Sequence, residues 1–262
     1  MRNGRVRIFL LRRRAVAAVG ALVLAGAIFW AVSYPAGTPA SAAQRQLPIY
    51  SVEREQKMCS VSFDAAWGNE DTQELMDILD KYSVKTTFFV VGEWVDQFPE
   101  SVRALAEAGH EIMNHSDTHP HFPQLSPEDM TRELNACSDK IEAITGVRPI
   151  LFRPPYGDYD DKVVSTARAA GMYAVQWDVD SLDWKEQGAE VEIRQVLEHK
   201  HLGNGSIILF HNDAKYTPKV LDTILKGIKE KGFEIVPISQ LIHRENFEMD
   251  HEGRQIPKDK DV

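Results

Sequence analysis

Five clusters of polar residues, each at or just past the end of an apolar run, carry the residue types needed for proton transfer and metal binding. Asp64 follows Val61-Ser62-Phe63, and a carboxylate at a buried strand end needs a partner because an unpaired buried charge is costly. His115 and His119 stand four residues apart. On a helical turn that spacing lets two neutral imidazoles face one divalent ion, although two ordinary loop histidines read the same way. In Arg153-Pro154-Pro155-Tyr156-Gly157 the two prolines stiffen the backbone, which holds Arg153 inward and can present the N–H of Tyr156. A plain structural turn is the alternative. Asp180-Ser181-Leu182-Asp183-Trp184 and Leu209-Phe210-His211 complete the set.

Positioning these residues requires a regular frame, and the chain offers one from Lys57 onward. Strand-like runs at 58–63, 86–91, 110–114, 150–153, 172–177, 206–210 and 234–237 alternate with helical patterns at 72–81, 99–108, 126–145, 160–170, 191–199 and 217–231. Ser126 with Pro127 opens the longest helix, and Gly109, Gly171 and Gly232 close three others. About seven strands with helical crossovers predict an α/β fold with a parallel sheet. The polar strand ends favour a closed or nearly closed barrel over an open sheet, because a barrel brings strand C-termini to one site.

The N-terminus has another character. Residues 1–43 hold six arginines and no acid; taken off the formal net charge of −9, they leave −15 on the remainder, so a nucleic-acid partner is not expected. After Arg12-Arg13-Arg14, residues 15–32 carry no charged or strongly polar side chain, and about 1.5 Å per residue gives a length near the bilayer core. The basic flank predicts that the chain beyond this apolar run is exported. The expected order is a basic cytoplasmic segment 1–14, a transmembrane anchor or signal segment 15–34, a linker 35–56, the catalytic domain 57–243 and a polar tail 244–262. A signal cleaved near Ala42, after Ala40-Ser41-Ala42, is the alternative to an uncleaved anchor. Cys59 and Cys137 lie too far apart for a zinc or redox motif and read as buried thiols.

Taken together, the five clusters resemble the polysaccharide deacetylases, carbohydrate esterases with a NodB-homology domain, over about residues 57–240, and the resemblance implies a distorted (β/α) barrel. Ser62-Phe63-Asp64-Ala65 stands for the first motif, His115-Ser116 with His119 for the second, and Arg153–Gly157 for the third. Asp180 with Asp183-Trp184 stands for the fourth and Leu209 with His211 for the fifth. The resemblance implies that Asp64 is the general base, with Arg153 keeping it ionised, and that His211 is the general acid, oriented by Asp183. It implies His115 and His119 as ligands of a divalent metal, zinc or else cobalt, nickel or manganese. Tyr156, Trp184 and Leu209 would contact substrate, the first through its backbone N–H at the oxyanion.

One position departs. The family's second aspartate of the first motif, a third metal ligand, is Ala65 here, as in a subfamily similar to spore-associated members. Weak metal binding is therefore expected, with Asn69, Glu70 or Asp71 as candidate replacements and with Ala65→Asp expected to tighten it. The implied activity is metal-dependent removal of N-acetyl groups from cell-wall glycan, peptidoglycan or a chitin-like oligosaccharide, outside the cytoplasm and beside the membrane. No protein partner is expected. The rival readings are a catalytically inactive glycan-binding member and a deacetylase of small N-acyl metabolites.

Overall fold

The computed structural model describes residues 45–258. The expected segments 1–14 and 15–34, and the start of the linker, lie outside the described residues. Among those described, no helix is long and apolar enough to cross a membrane.

The chain runs β1 (Ser51–Val52), β2 (Met58–Ala65), α1 (Thr72–Lys81), β3 (Thr87–Val90), α2 (Gly92–Gln97), α3 (Pro99–Glu107), β4 (Glu111–Asn114), α4 (Pro127–Thr145) and β5 (Leu151–Phe152). It continues through α5 (Asp161–Ala169), β6 (Tyr173–Ala174), β7 (Val179–Asp180), α6 (Ala189–Leu197), β8 (Ile207–His211) and α7 (Thr217–Glu230). The last elements are β9 (Glu234–Ile235), α8 (Ile238–Leu241), β10 (Phe247–Met249) and β11 (Arg254–Pro257). Seven parallel strands in the order β6-β5-β4-β3-β2-β8-β7 form a curled half-barrel, with β9 added beside β2.

The expected barrel is thus present as an open curl. Its edges, β6 and β7, are consecutive in sequence, and only 175–178 lie between them. Parallel neighbours need a crossover of a dozen or more residues, so these two cannot pair. Ile49 instead bridges to Val175 at that opening. The seventh strand is Val179–Asp180, while the expected strand at 234–237 pairs off the main path.

Pleat alternation sorts β2. Cys59, Val61, Phe63 and Ala65 join the core shared with the outer helices, where Phe63 stacks on Phe88 and Phe210. Ser60, Ser62 and Asp64 take the alternate positions of the pleat, and all three are buried. A second core, with Phe89, Met113, Leu151 and Ile207, lies beneath the strand ends. Both cysteines are buried and free.

The chain ends differ from the expected linker and tail. Ile49 and Val52 are buried, β1 pairs with β11, and β10 pairs with β11 across a turn at Gly253, whose φ is 81°. Gln255 is fully buried and exchanges hydrogen bonds of 2.8 and 2.9 Å with the backbone of His243. A polar composition hid this tie, because two short strands in 244–258 need few apolar residues once a partner strand supplies the pairing.

Candidate active site

The residues that the resemblance assigns to proton transfer, metal and substrate meet at the strand C-termini. A cavity of about 450 Å³ is lined by Asp64, His115, His119, Tyr156, Trp184, Leu209 and His211. Arg153 and Asp183 stand directly behind Asp64 and His211. Parallel register does the central work: Asp64 on β2 lies directly beside His211 on β8.

Arg153 is fully buried, and its Nη1 donates to Asp64 Oδ1 at 2.7 Å while Nη2 donates to Ser62 Oγ at 2.9 Å. Its guanidinium lies 4.2 Å over the Phe89 ring, so the inner core props it from below. Burial alone would raise the Asp64 pKa, but the charges of Arg153, His115 and His211 outweigh it and hold the carboxyl below its ordinary value. Asp64 is therefore an ionised acceptor at neutral pH.

The opposite half of the site is built from Asp183. It stands in a single 3-10 turn, Asp183–Lys185, entered through left-handed Leu182 with φ 55°. Its Oδ1 lies 2.7 Å from His211 Nδ1 and accepts from Trp184 N at 2.8 Å; its Oδ2 accepts from His211 N at 2.7 Å. Burial would lower the His211 pKa, yet the hydrogen bond and charge of Asp183, with Asp64 and Asp180, raise it above the ordinary value. The cavity thus carries a carboxylate whose pKa is lowered and an imidazole whose pKa is raised.

The histidine pair is not on a helical turn. His115 and His119 lie on a loop after β4 in which Ser116 and His119 are left-handed, with φ 71° and 58°. Asn114 pins that loop: its Oδ1 accepts from Ser116 N at 2.8 Å and its Nδ2 donates to Ser138 Oγ on α4. The two rings come within 4.9 Å centroid to centroid. His115 Nδ1 is 2.7 Å from the Arg153 carbonyl, which leaves Nε2 on the side of Asp64, 3.6 Å from Oδ2. Burial, then the neighbouring histidine, pushes His119 down to about 4, and burial lowers His115 as well.

Two neutral imidazoles, one with its tautomer fixed by a carbonyl, fit two positions of a divalent ion. A third protein ligand is not assembled: among the described residues no group of three His, Cys, Asp or Glu could hold a metal. Ala65 is buried in the outer core. Asn69 is taken by Thr72, Glu70 by the Asn69 N–H, and Asp71 by the Asp213 N–H at 2.8 Å. None of the three lines the cavity.

Three exposed aromatic side chains rim the opening: Trp67, Tyr156 and Trp184, each 59% exposed. Tyr156 sits at φ 60° after the two prolines, and its ring packs on His119 and stacks on His121 at 4.1 Å. Sequence reasoning missed Trp67, whose ring meets His119 at 5.5 Å, and Trp177, which lies under Arg153. An exposed tryptophan two residues past a buried strand was the available signal for Trp67.

Comparison with known proteins agrees with this geometry. Residues 51–175 match the family described as Polysaccharide deacetylase. The chain is 34% identical over 191 residues to the peptidoglycan-N-acetylmuramic acid deacetylase PdaC of Bacillus subtilis, covering 73% of this chain and 40% of that protein. It is 31% identical over 216 residues to a chitooligosaccharide deacetylase of Bradyrhizobium, covering 74% of this chain and 98% of the relative. Against the B. subtilis protein YlxY it spans 60% of the relative's length. The solved structure of BA3943 from Bacillus anthracis, described as a CE4 family pseudoenzyme, superposes with a TM-score of 0.71 at 32% identity, covering 80% of this chain and 70% of that one. A mutant of BA3943 is described as having restored enzymatic activity. With five motifs converging on one cavity and these relatives matched along most of the domain, the chain belongs to the polysaccharide deacetylase family.

Proposed function

We propose that this protein removes N-acetyl groups from cell-wall glycan, peptidoglycan or a chitin-like oligosaccharide, as an extracytoplasmic enzyme tethered by its N-terminal segment. The observation that carries this reading is the pair of side chains in one cavity: Asp64 ion-paired with Arg153, and His211 hydrogen-bonded to Asp183. Amide hydrolysis needs both halves. Asp64 Oδ2 takes a proton from the attacking water. His211, whose Nδ1 is committed to Asp183, donates through Nε2 to the departing amine nitrogen. The left-handed backbone at Tyr156 aims its N–H toward the acyl oxygen, and Leu209 with Trp184 encloses the acetyl methyl. A divalent ion on His115 and His119, zinc or another first-row metal, supplies Lewis acidity when bound. Trp67, Tyr156 and Trp184 offer flat faces for sugar rings.

A second reading has its own support. Ala65 and a pseudoenzyme neighbour favour a member that holds glycan without turnover. The purified protein, incubated with N-acetylglucosamine polymers and each divalent metal, separates the two. Acetate release supports the enzyme, glycan binding without release supports the binder, and neither result refutes both.

A further inference from the structure

Behind Asp183, on the side away from the cavity, lies a carboxylate that belongs to none of the five motifs. Glu192 on α6 is 3% exposed and has no cationic partner among the described residues. Its neighbour is Thr217 at the start of α7, also buried. Thr217 Oγ1 lies 2.8 Å from Glu192 Oε1 and 3.2 Å from Asp183 Oδ2. A hydroxyl has one proton to give, so it cannot donate to two carboxylates at once. Were both ionised, one buried oxygen would face a lone pair at hydrogen-bond distance, and Glu192 Oε2 would be a second charged oxygen with no partner.

One proton on Glu192 Oε1 removes the first conflict and takes the charge off the unpartnered Oε2. We infer that Glu192 is held as the neutral acid and acts with Thr217 as a positioning pair for Asp183, in a run of hydrogen bonds: Glu192 O–H donates to Thr217 Oγ, Thr217 O–H donates to Asp183 Oδ2, and His211 Nδ1–H donates to Asp183 Oδ1. The inference rests on the reading of His211 as the proton donor. Burial pushes the Glu192 carboxyl up to about 7, with the Asp183 charge adding to the rise against the Thr217 hydrogen bond. Of the elements packed on α6, α7 presents Thr217, β7 carries Asp180, and the turn at 183–185 brings Asp183, whose charge acts on Glu192. The run fixes Asp183 Oδ2 beside the His211 N–H, so Oδ1 stays aimed at the imidazole. It also keeps a single negative charge behind His211 instead of two.

The test tracks the His211 imidazole by nitrogen-15 NMR titration in the full-length protein, assigned by the spectrum of His211→Ala. Glu192→Gln can donate the same hydrogen bond and removes no charge, so the His211 midpoint should stay within about 0.2 pH units and any turnover within about twofold. Thr217→Val cuts the run; the freed Asp183 charge should raise the His211 midpoint by about half a unit or more, with kcat/KM falling about tenfold, the scale of one hydrogen bond to a charged group. Thr217→Ser should restore both. A lowered midpoint in Glu192→Gln would mean that Glu192 is ionised, and an unchanged midpoint in Thr217→Val would mean that Thr217 positions nothing; either overturns the inference. If Thr217→Val does not fold, Thr217→Ala removes the same donor to Asp183 Oδ2, and an unshifted midpoint there is equally decisive. Absent acetate release with an intact His211 titration would count against the deacetylase reading alone.

Discussion

Arg153→Met puts the strongest demand on this account of the site. The methionine can occupy much of the stem's volume above Phe89, so the main loss is the guanidinium. That loss strands Asp64, which is 4% exposed, and removes the donors to Ser62 Oγ and the Gln176 carbonyl. Deleting one member of a buried ion pair costs roughly 3–5 kcal/mol. For a domain of this size that is a fall in Tm of about 6–20 °C. The pH dependence identifies the cause. In the native protein the Asp64 pKa is depressed in the folded state, so its contribution is present above the unfolded value of about 3.9 and is lost only as pH falls through the folded value. Without Arg153, burial raises the folded pKa above 3.9, and ionised Asp64 becomes a penalty that grows as pH rises through that window. Denaturant unfolding at pH 7 should therefore show the full deficit, and unfolding near pH 4 a smaller one. Adding Asp64→Asn to Arg153→Met should recover at least about 1.5 kcal/mol at pH 7, because the stranded charge is gone. A single variant within about 1 kcal/mol of native at pH 7, or a deficit that neither pH nor the second substitution changes, would refute the claim that Arg153 exists to hold Asp64 ionised.

Asp64→Asn and His211→Ala should each cut acetate release by about 10²–10⁴; His211→Ala should stay folded, whereas Asp64→Asn should also lose stability because it strands the buried Arg153 guanidinium. The native pH–rate profile should be bell-shaped, its acid limb below the ordinary carboxylate range and its basic limb above the ordinary imidazole value; a flat profile from about pH 5 to 9 would contradict the pair. His119→Ala should abolish calorimetric zinc binding, whereas Glu70→Gln and Asp71→Asn should leave it unchanged, since those carboxylates are occupied by the backbone at 69 and 213. Trp67→Ala should weaken chitooligosaccharide binding several-fold by fluorescence titration, the scale of one ring contact, with no change in stability because the side chain is 59% exposed.

The strand ends were legible because burial and chemistry leave opposite marks: an apolar run that stops at Asp64, Arg153 or His211 announces a floor and a functional rim together. Strands β2, β3, β4 and β8 fall where the apolar runs stand. Two features left no such mark. The histidine spacing matched a helical turn, but Asn114 captures the Ser116 N–H and left-handed residues at 116 and 119 bring the rings together on a loop. The strands at 179–180, 247–249 and 254–257 are two to four residues long, and too short to show a period. Glu192 is the clearest omission. In sequence it is one charge on an acidic helix, and only the packing of α6 against α7 turns it inward to Thr217.

Ala65 shows how one pleat decides a metal site. Asp64 and Ala65 are successive residues of a regular strand, so their side chains point to opposite faces. The pairing continues through the second residue: Ala65 is in register with Val90 and accepts from Val91 N at 3.0 Å. Its methyl lies 1% exposed in the outer core. An aspartate there would be directed into apolar packing, with no cation to meet it, unless the strand end unwound. The sequence-based expectation that Ala65→Asp tightens metal binding therefore reverses. That variant should lose roughly 2–4 kcal/mol in denaturant unfolding at pH 7, regain part of it as pH falls and the new carboxyl protonates, and bind zinc no more tightly than native protein. Restoring a third ligand requires bending the chain after residue 64 as well as changing residue 65. Tighter zinc binding by Ala65→Asp without loss of stability would show that the strand end yields readily, and would place the missing ligand one substitution away.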